Sequence, residues 1–187
     1  GQTFYAYASF AHSNYDFNIQ AHSDNTHVTL RDTETGELVW SGTLNAGERH
    51  TESTGKYDQF YTVEADKNVT VSHAPVDGNY YHSLYIPDLS GSGIGNQFMH
   101  SAIGQGRLVL FSYKDGNEVT LQDSSGNIVW QGTLDQGDFY SHSSAQTTYR
   151  ISSTDRLSAL FDWGDAAGAD FAPVYYGAST PLSHGAI

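Results

Sequence analysis

The sequence predicts an all-β protein built from two tandem antiparallel β-sandwich units, either Ig-like or jelly-roll-like. Three observations lead to this prediction. A long segment recurs once within the chain, short alternating apolar runs are separated by turn residues, and no run keeps the 3.6-residue period of a helix. We expect the first unit to span residues 1–88 and the second to span residues 89–187.

The internal repeat sets the length of one unit. The segment VTLRDTETGELVWSGTLNAG, which begins at Val28, recurs as VTLQDSSGNIVWQGTLDQG, which begins at Val119, with a one-residue gap in the turn. This spacing implies units of about 90 residues. Such a length suits a small β-sandwich domain and exceeds a single solenoid repeat.

Each copy of the repeat is typical of a β-hairpin, because a turn containing Asp and Gly joins two alternating runs. Asp123 is placed to cap a type I turn, and Gly126 falls where a positive φ is needed. The first copy lengthens this turn by one residue.

In the second strand of each hairpin, alternation places a tryptophan on one face with the glycine two residues later. We expect this face to point into the core, with Trp40 and Trp130 buried at equivalent positions. Gly42 and Gly132 are then packing partners that leave room for the indole rings.

Other short runs with strand composition surround the two hairpins, and a Pro-, Ser- and Gly-containing linker at residues 87–95 separates the units. The predicted strands are residues 4–10, 15–21, 57–63, 68–73 and 80–86 in the first unit, and 98–103, 107–113, 147–152, 157–162 and 171–176 in the second.

The pattern "VTL.D..G..VW.GTL..G", followed by Tyr61-Thr-Val63 or Tyr149-Arg-Ile151, resembles tandem β-sandwich repeats of prokaryotic cell-surface proteins and of the N-terminal region of IgG-Fc-binding proteins. The likeness covers about half of each unit. Neither copy has the proline that usually follows the later strand of such repeats. The resemblance implies a sandwich fold and a surface location, and it implies no ligand.

Composition excludes several functional classes. The chain has 21 acidic and 8 basic residues and a net charge of −13, so nucleic acid is not an expected partner. It has no apolar run of about 20 residues, so no membrane insertion is expected. The lack of cysteine excludes disulfides, zinc–thiolate sites and thiol nucleophiles.

The first residue is Gly1, which suits a chain processed during export, and we expect an extracellular or cell-surface location.

The ionisable residues do not form a catalytic pattern. The nine histidines are scattered, and we expect them to be solvated or hydrogen-bonded within strands, so we predict no enzyme activity and no cofactor. A hydrolase on a sandwich scaffold remains an alternative. Asp162, Asp165 and Asp170 gather in a predicted loop, where they either cap turns or hold calcium. Asn68 begins the sequon Asn-Val-Thr in a predicted turn and is a possible glycosylation site.

The chain has more aromatic residues than alternating core positions require. Their rings are expected to contact a neighbouring domain, another protein or a glycan. Residues 4–10 are either the first strand of their own unit or a strand donated to another copy. The residues predicted to act in assembly or ligand binding are Phe4, Tyr5, Tyr7, Tyr80, Tyr85, Trp163, Tyr175 and Tyr176.

Few lysines and prolines are available to protect the edges of these predicted sheets. We therefore expect a non-catalytic extracellular structural protein, a subunit that assembles with other copies of itself into a surface fibre or layer. The alternative is a carbohydrate-binding or adhesive β-sandwich module with glycan partners.

Overall fold

A computed structural model describes residues 1–8, 15–53, 56, 59–75, 84–86, 94–102, 106–165 and 168–173. These residues form fifteen β-strands and no helix, and the strand pairs whose register is described are antiparallel, which confirms the all-β prediction. Among the same residues, no helix long and apolar enough to span a membrane is present.

The strands are β1 (Thr3–Ala8), β2 (Tyr15–Ala21), β3 (Thr26–Asp32), β4 (Leu38–Leu44), β5 (Arg49–Ser53), β6 (Gln59–Ala65), β7 (Val69–Pro75), β8 (Leu84–Tyr85), β9 (Ile94–Ser101), β10 (Gly106–Ser112), β11 (Asn117–Gln122), β12 (Ile128–Leu134), β13 (Phe139–Ser144), β14 (Thr148–Asp165) and β15 (Gly168–Pro173).

The backbone forms two compact units. One comprises Gly1–Ser92 with Trp163–Phe171, and the other comprises Gly93–Asp162 with Ala172–Ile187. In the first unit, one sheet has the strand order β1-β6-β3-β4 and a second sheet has the order β5-β2-β7-β8. The remaining sheet has the order β12-β11-β14-β10-β13, with β9 and β15 also paired to β14.

Both sheets of the first unit contribute to one hydrophobic core. Phe4, Leu30 and Val63 come from the first sheet, and Ile19 and Val71 come from the second; all five belong to a single buried cluster. Their alternation with exposed or partly exposed neighbours follows the two-residue period of a strand. The cluster therefore holds the two sheets of this unit together by burial of apolar surface.

The second unit repeats the strand pairing of the first. Leu30 pairs with Val63 and Trp40 in the first unit, and the corresponding Leu121 pairs with Ile151 and Trp130. The predicted equivalence of the two tryptophans is therefore confirmed. The match extends beyond the hairpin, because β2 pairs with β5 and β7 just as β10 pairs with β13 and β14.

One strand differs between the units. In the first unit, Asp66, Lys67 and Asn68 separate β6 from β7. In the second unit, the single strand β14 runs for 18 residues and occupies the positions of both strands. Its first half pairs with β9 and β11, and its second half pairs with β10 and with the first residues of β9. The two strands predicted at 147–152 and 157–162 are thus one strand, with a register irregularity between Ser152 and Leu157.

The aspartates of the repeated turns act as the sequence predicts. Asp123 accepts hydrogen bonds from the backbone N–H groups of Ser125 and Asn127, and Gly126 has a φ of 83°. The side-chain amide of Asn127 also donates to Asp123, and this hydrogen bond, followed by the backbone ones, lowers the pKa of Asp123. The side chain therefore fixes the turn that joins β11 to β12.

The corresponding Asp32 is buried and accepts hydrogen bonds from the backbone N–H of Thr35 and from Lys56 Nζ, at 3.0 and 3.2 Å. Burial would raise the pKa of this carboxyl, but these donors and Gln59 hold it below its ordinary value of 3.8. Asp32 therefore remains ionised and ties the turn to β6.

Two expectations about this fold are wrong. The face of β4 that carries Trp40 is not uniformly buried, because Leu38 at its start is 48% exposed and Trp40 is only half-buried. Strand β12 shows the same pattern, with Ile128 59% exposed. The reason is position: β4 and β12 are the last strands in the described order of their sheets, so their final leucines are buried whereas Trp40 is only partly buried where it packs against the core.

The predicted loop at residues 162–170 is also mostly strand, since β14 continues to Asp165 and β15 begins at Gly168. Strands β5 and β13 were not predicted, because their sequences, RHTES and FYSHSS, are too polar to show a clear apolar alternation.

Candidate functional site

A pair of parallel rings connects the last strands at one side of each unit. In the first unit, Trp40 on β4 stacks on His50 on β5, with ring centroids 3.6 Å apart and planes 8° apart. In the second unit, Trp130 on β12 stacks on Tyr140 on β13 at 3.9 Å and 8°. Strands β4 and β5 each stand at the end of a sheet order, and so do β12 and β13. Each stack therefore joins two edge strands through their aromatic rings.

Each tryptophan also lies against the glycine two residues later in its strand. A Cβ atom added to Gly42 would lie 2.5 Å from Trp40 Cζ2, and one added to Gly132 would lie 2.6 Å from Trp130 Cζ2. Any side chain there would push the ring away. The predicted Trp–Gly packing is therefore confirmed, although it occurs at the margin of each unit.

Large apolar side chains beside these stacks face solvent. We call Leu38, Val39, Trp40 and His50 the first edge patch. We call Ile128, Val129, Trp130 and Tyr140 the second edge patch. Strands β4 and β12 have no charged residue and no proline. They therefore lack charge and proline as protection of an exposed sheet edge, although the register of each strand is irregular, at Val39 and at Val129.

Polar neighbours distinguish the two patches. In the first unit, His50 Nε2 lies 2.9 Å from Glu52 Oε2. The residue at the position of Glu52 in the second unit is His142, whose ring lies 6.5 Å from Tyr140 and meets Tyr149 edge-on at 5.4 Å. Burial lowers the pKa of His142 and raises the pKa of Tyr140, so both side chains favour their neutral forms.

The sequence-predicted aromatic residues have different locations. Phe4 and Tyr7 are buried within their own unit, where β1 pairs with β6, and they do not present a binding surface. Residues 3–8 are thus the first strand of their own unit, which is the first of the two alternatives, and donation of this strand to another copy stays a prediction. Tyr5 is half-buried and pairs with Thr62.

The side chains of the other five predicted aromatic residues are not among those that the structure describes. Tyr85 lies in β8 and Trp163 in β14, but their side chains lie outside the described part of the structure. Tyr80, Tyr175 and Tyr176 lie wholly outside the described residues. Their role in assembly or ligand binding stays a prediction.

The histidines within the described ranges occupy several environments. His22 Nε2 is 2.7 Å from Thr70 Oγ1 on the surface. His100 replaces the buried Ala6 of the first unit and lies against Phe161, with ring centroids 4.4 Å apart. Its Nε2 atom is buried and has no hydrogen-bond partner among the described residues, and burial lowers its pKa. His100 is therefore a partly buried residue that favours its neutral form.

The described side chains do not form a metal site: no group of three or more His, Asp or Glu within them could hold an ion. The side chains of Asp162, Asp165 and Asp170 are not among them, so the calcium alternative is untested. Asn68 is exposed in the turn between β6 and β7, which places the sequon as predicted. Its glycosylation stays a prediction.

Sequence reasoning missed the partners of the tryptophans, His50 and Tyr140. A signal was available, because a ring-bearing residue occurs ten positions after the tryptophan in both copies of the repeat. Neither ring lies in a recognisable apolar strand, so only an alignment extended past the hairpin would have found them.

No protein family matches this chain, and comparison with curated proteins and with solved structures gives no significant match.

Proposed function

We propose that the chain is a non-catalytic extracellular structural protein whose two units are β-sandwiches and which assembles with copies of itself into a fibre or layer. The observation that carries this proposal is the pair of edge patches, which place apolar residues on uncharged strands at the margin of each unit.

The shared core of the first unit supports the sandwich part of the proposal. The connectivity supports it as well: β3 pairs with β4, while the flanking strands β2 and β5 pair with each other in the other sheet. This is a long hairpin folded across two layers, which is the arrangement from which jelly-roll sandwiches are built. The second unit pairs β11 with β12 and β10 with β13 in the same way, although β14 joins both pairs into one sheet.

Edge chemistry supports self-association. An outer strand directs alternate backbone N–H and C=O groups away from its own sheet, where another strand is able to pair with them. Burying Leu38, Val39, Ile128 and Val129 in such a contact would contribute about 25 cal/mol for each Å² of apolar surface removed from water. Because the chain carries two such strands, contacts at both would continue from copy to copy.

The extracellular and non-catalytic parts of the proposal rest on the sequence. The repeat resembles those of cell-surface proteins, and the sequence has no recognisable nucleophile or paired-acid motif. The absence of cysteine makes the hydrophobic core of each unit its main source of stability.

A second candidate function is glycan binding. It is favoured by the half-exposed indole rings, whose orientation the His50 and Tyr140 stacks fix, since rigid aromatic rings pack well against sugars.

The test uses a double variant, Val39→Lys with Val129→Lys, which places a charge at the start of each outer strand. Wild-type protein is expected to gain mass with concentration in sedimentation velocity and to form extended particles in electron microscopy. The double variant is expected to remain at the monomer mass of 20.4 kDa.

The control is Ser23→Lys. It adds one lysine, where the double variant adds two, at an exposed turn position where the second unit already has Lys114, and it should assemble like wild type. Wild-type protein that stays monomeric at all concentrations would refute the proposal. Glycan binding that is lost in Trp40→Ala and Trp130→Ala would then favour the second function.

A further inference from the structure

We propose that the second unit is acid-sensitive and opens below about pH 6, while the first unit stays folded. The trigger is a pair of histidines, His100 and His142, which face the interior of the second unit without a carboxylate partner among the described residues. This inference goes beyond the proposed function, because it concerns a single chain and needs no contact between copies.

Strand pairing places both histidines on the inner face of the second unit. His100 pairs with Tyr149 across β9 and β14, and His142 pairs with Leu108 across β13 and β10. Residues paired in this way share a face of the sheet, and both Tyr149 and Leu108 are buried. The two imidazole rings, which are themselves partly buried, therefore point toward the interior.

Aromatic side chains link the two histidines. His100 lies against Phe161, with ring centroids 4.4 Å apart, and His142 meets Tyr149 edge-on at 5.4 Å. Phe161 pairs with Leu108, the same residue that pairs with His142 on the other side. We call His100, His142, Tyr149 and Phe161 the histidine cluster.

No charged side chain faces the histidine cluster within the described part of the chain. Strands β9, β12 and β13 have no acidic or basic residue apart from the two histidines. On β10, β11 and β14, alternation places the described charges on the opposite face or at the exposed irregularity of β14; they are Arg107, Glu118, Arg150, Asp155 and Arg156. The other titratable groups on the inner face are Tyr140 and Tyr149, and both stay neutral in mild acid.

A proton on either imidazole would therefore create a charge that loses hydration and gains no counter-charge. Burial lowers the pKa of both His100 and His142, so the opened unit binds protons at a higher pH than the closed unit does. The closed unit is favoured while the rings are neutral and loses stability as pH falls below about 6.5. In that range each histidine raises the equilibrium constant for opening by up to about tenfold per pH unit.

The first unit has different residues at both positions. Ala6 occupies the position of His100, and Glu52 occupies that of His142. The histidine on the neighbouring residue pair, His50, lies with its Nε2 atom 2.9 Å from Glu52 Oε2. A carboxylate is thus in place to stabilise a protonated imidazole in this unit.

Repulsion among the acidic residues of the whole chain weakens as pH falls, so it does not account for a loss of stability confined to the second unit. His73, which pairs with Phe17 in the first unit, has its side chain outside the described part of the structure. The experiment therefore follows the two units separately.

Hydrogen exchange measured by mass spectrometry of peptides reports on each unit. Full-length protein is labelled at low micromolar concentration at about pH 7 and about pH 5, with labelling times scaled to the intrinsic exchange rate at each pH. Peptides from β9, β10 and β13 are expected to lose protection by at least about tenfold at the lower pH. Peptides from β1, β2 and β5 are expected to keep theirs.

The decisive variant gives the second unit the residues of the first, by combining His100→Ala, Tyr140→His and His142→Glu. This variant should keep the second unit protected at the lower pH. The matched control is His22→Ala, which removes an exposed histidine whose Nε2 atom is 2.7 Å from Thr70 Oγ1 and should respond like wild type.

Far-UV circular dichroism at neutral pH checks that the variants are folded. If the triple variant does not fold, the single variants His100→Ala and His142→Gln decide, because each should remove part of the acid response. Three results would overturn the inference: a wild-type second unit equally protected at both pH values, opening of both units together, or variants that open as wild type does. Failure of the proposed function would appear in sedimentation and would leave this result unchanged.

Discussion

Replacing Gly132 with alanine tests the packing of tryptophan over glycine most directly. The added Cβ would lie 2.6 Å from Trp130 Cζ2, whereas non-bonded carbons reach their best separation at about 3.5–4.0 Å. The indole must therefore move by about 1 Å. Because Trp130 is held at 3.9 Å from Tyr140, that movement disturbs the stack.

The expected magnitude follows from two opposing effects. Alanine restricts the unfolded chain more than glycine, which on its own would stabilise the fold by about 0.4–1 kcal/mol, and Gly132 has no positive φ to oppose this gain. Loss of the aromatic pair costs about 0.5–1.5 kcal/mol, and exposure of part of the indole adds to that cost. We expect Gly132→Ala to lower the free energy of unfolding by about 1–2 kcal/mol.

The sign of the effect should reverse when the ring is absent. In a Trp130→Ala background, Gly132→Ala should raise the free energy of unfolding by about 0.4–1 kcal/mol. Urea unfolding of wild type, the two single variants and the double variant, followed by far-UV circular dichroism at micromolar protein, measures the four free energies. The same set of substitutions at Trp40 and Gly42 gives a second, independent measurement. The same sign in both backgrounds would refute the reasoning.

Three further outcomes are expected. Since the pKa of Asp32 is lowered in the folded chain, its stabilising effect is complete above about pH 4 and is lost as pH falls through the lowered value. Asp32→Asn should therefore lower the free energy of unfolding by about 1–2 kcal/mol at pH 7 and by less in acid, which urea unfolding at each pH measures. Because the pKa of His100 is lowered in the folded chain, the unfolded chain binds a proton at higher pH, and stability should fall as pH decreases below about 6.5. His100→Ala introduces the residue that the first unit has at the equivalent Ala6, and it should reduce this fall in melting temperatures measured over a pH series. Because the net charge of −13 opposes association, light scattering from the wild type should increase with sodium chloride concentration, and scattering that decreases would contradict the apolar edge contact.

Periodicity and turn chemistry were sufficient to predict much of the fold. The repeated hairpins, the aspartate-capped turns and the pairing of each tryptophan with a glycine all depend on neighbours within one hairpin, and such local contacts are visible in sequence. The equivalence of the two units also follows directly from the repeat.

What could not be predicted depends on contacts between distant strands. Alternation shows that Leu38 and Trp40 share a face, but not that their strand is the outermost one of its sheet, so the sequence predicts full burial where Trp40 is only partly buried against the core and Leu38 is exposed. His50 and Tyr140 belong to polar strands whose place in the sheet is fixed by pairing with Ile19 and Leu110, far away in sequence. The burial of Tyr7 likewise follows from its pairing with Phe60 and is not evident from composition.

The continuous strand β14 gives the second unit a mechanical property that the first lacks. If copies assemble as proposed and the assembly comes under tension, pulling on β14 would load the hydrogen bonds to β9 and β11 at one end and those to β10 at the other end at the same time. In the first unit, the break at Asp66, Lys67 and Asn68 lets β6 and β7 yield one after the other. The second unit should therefore resist extension to a higher force, and the first unit should lengthen first and absorb strain.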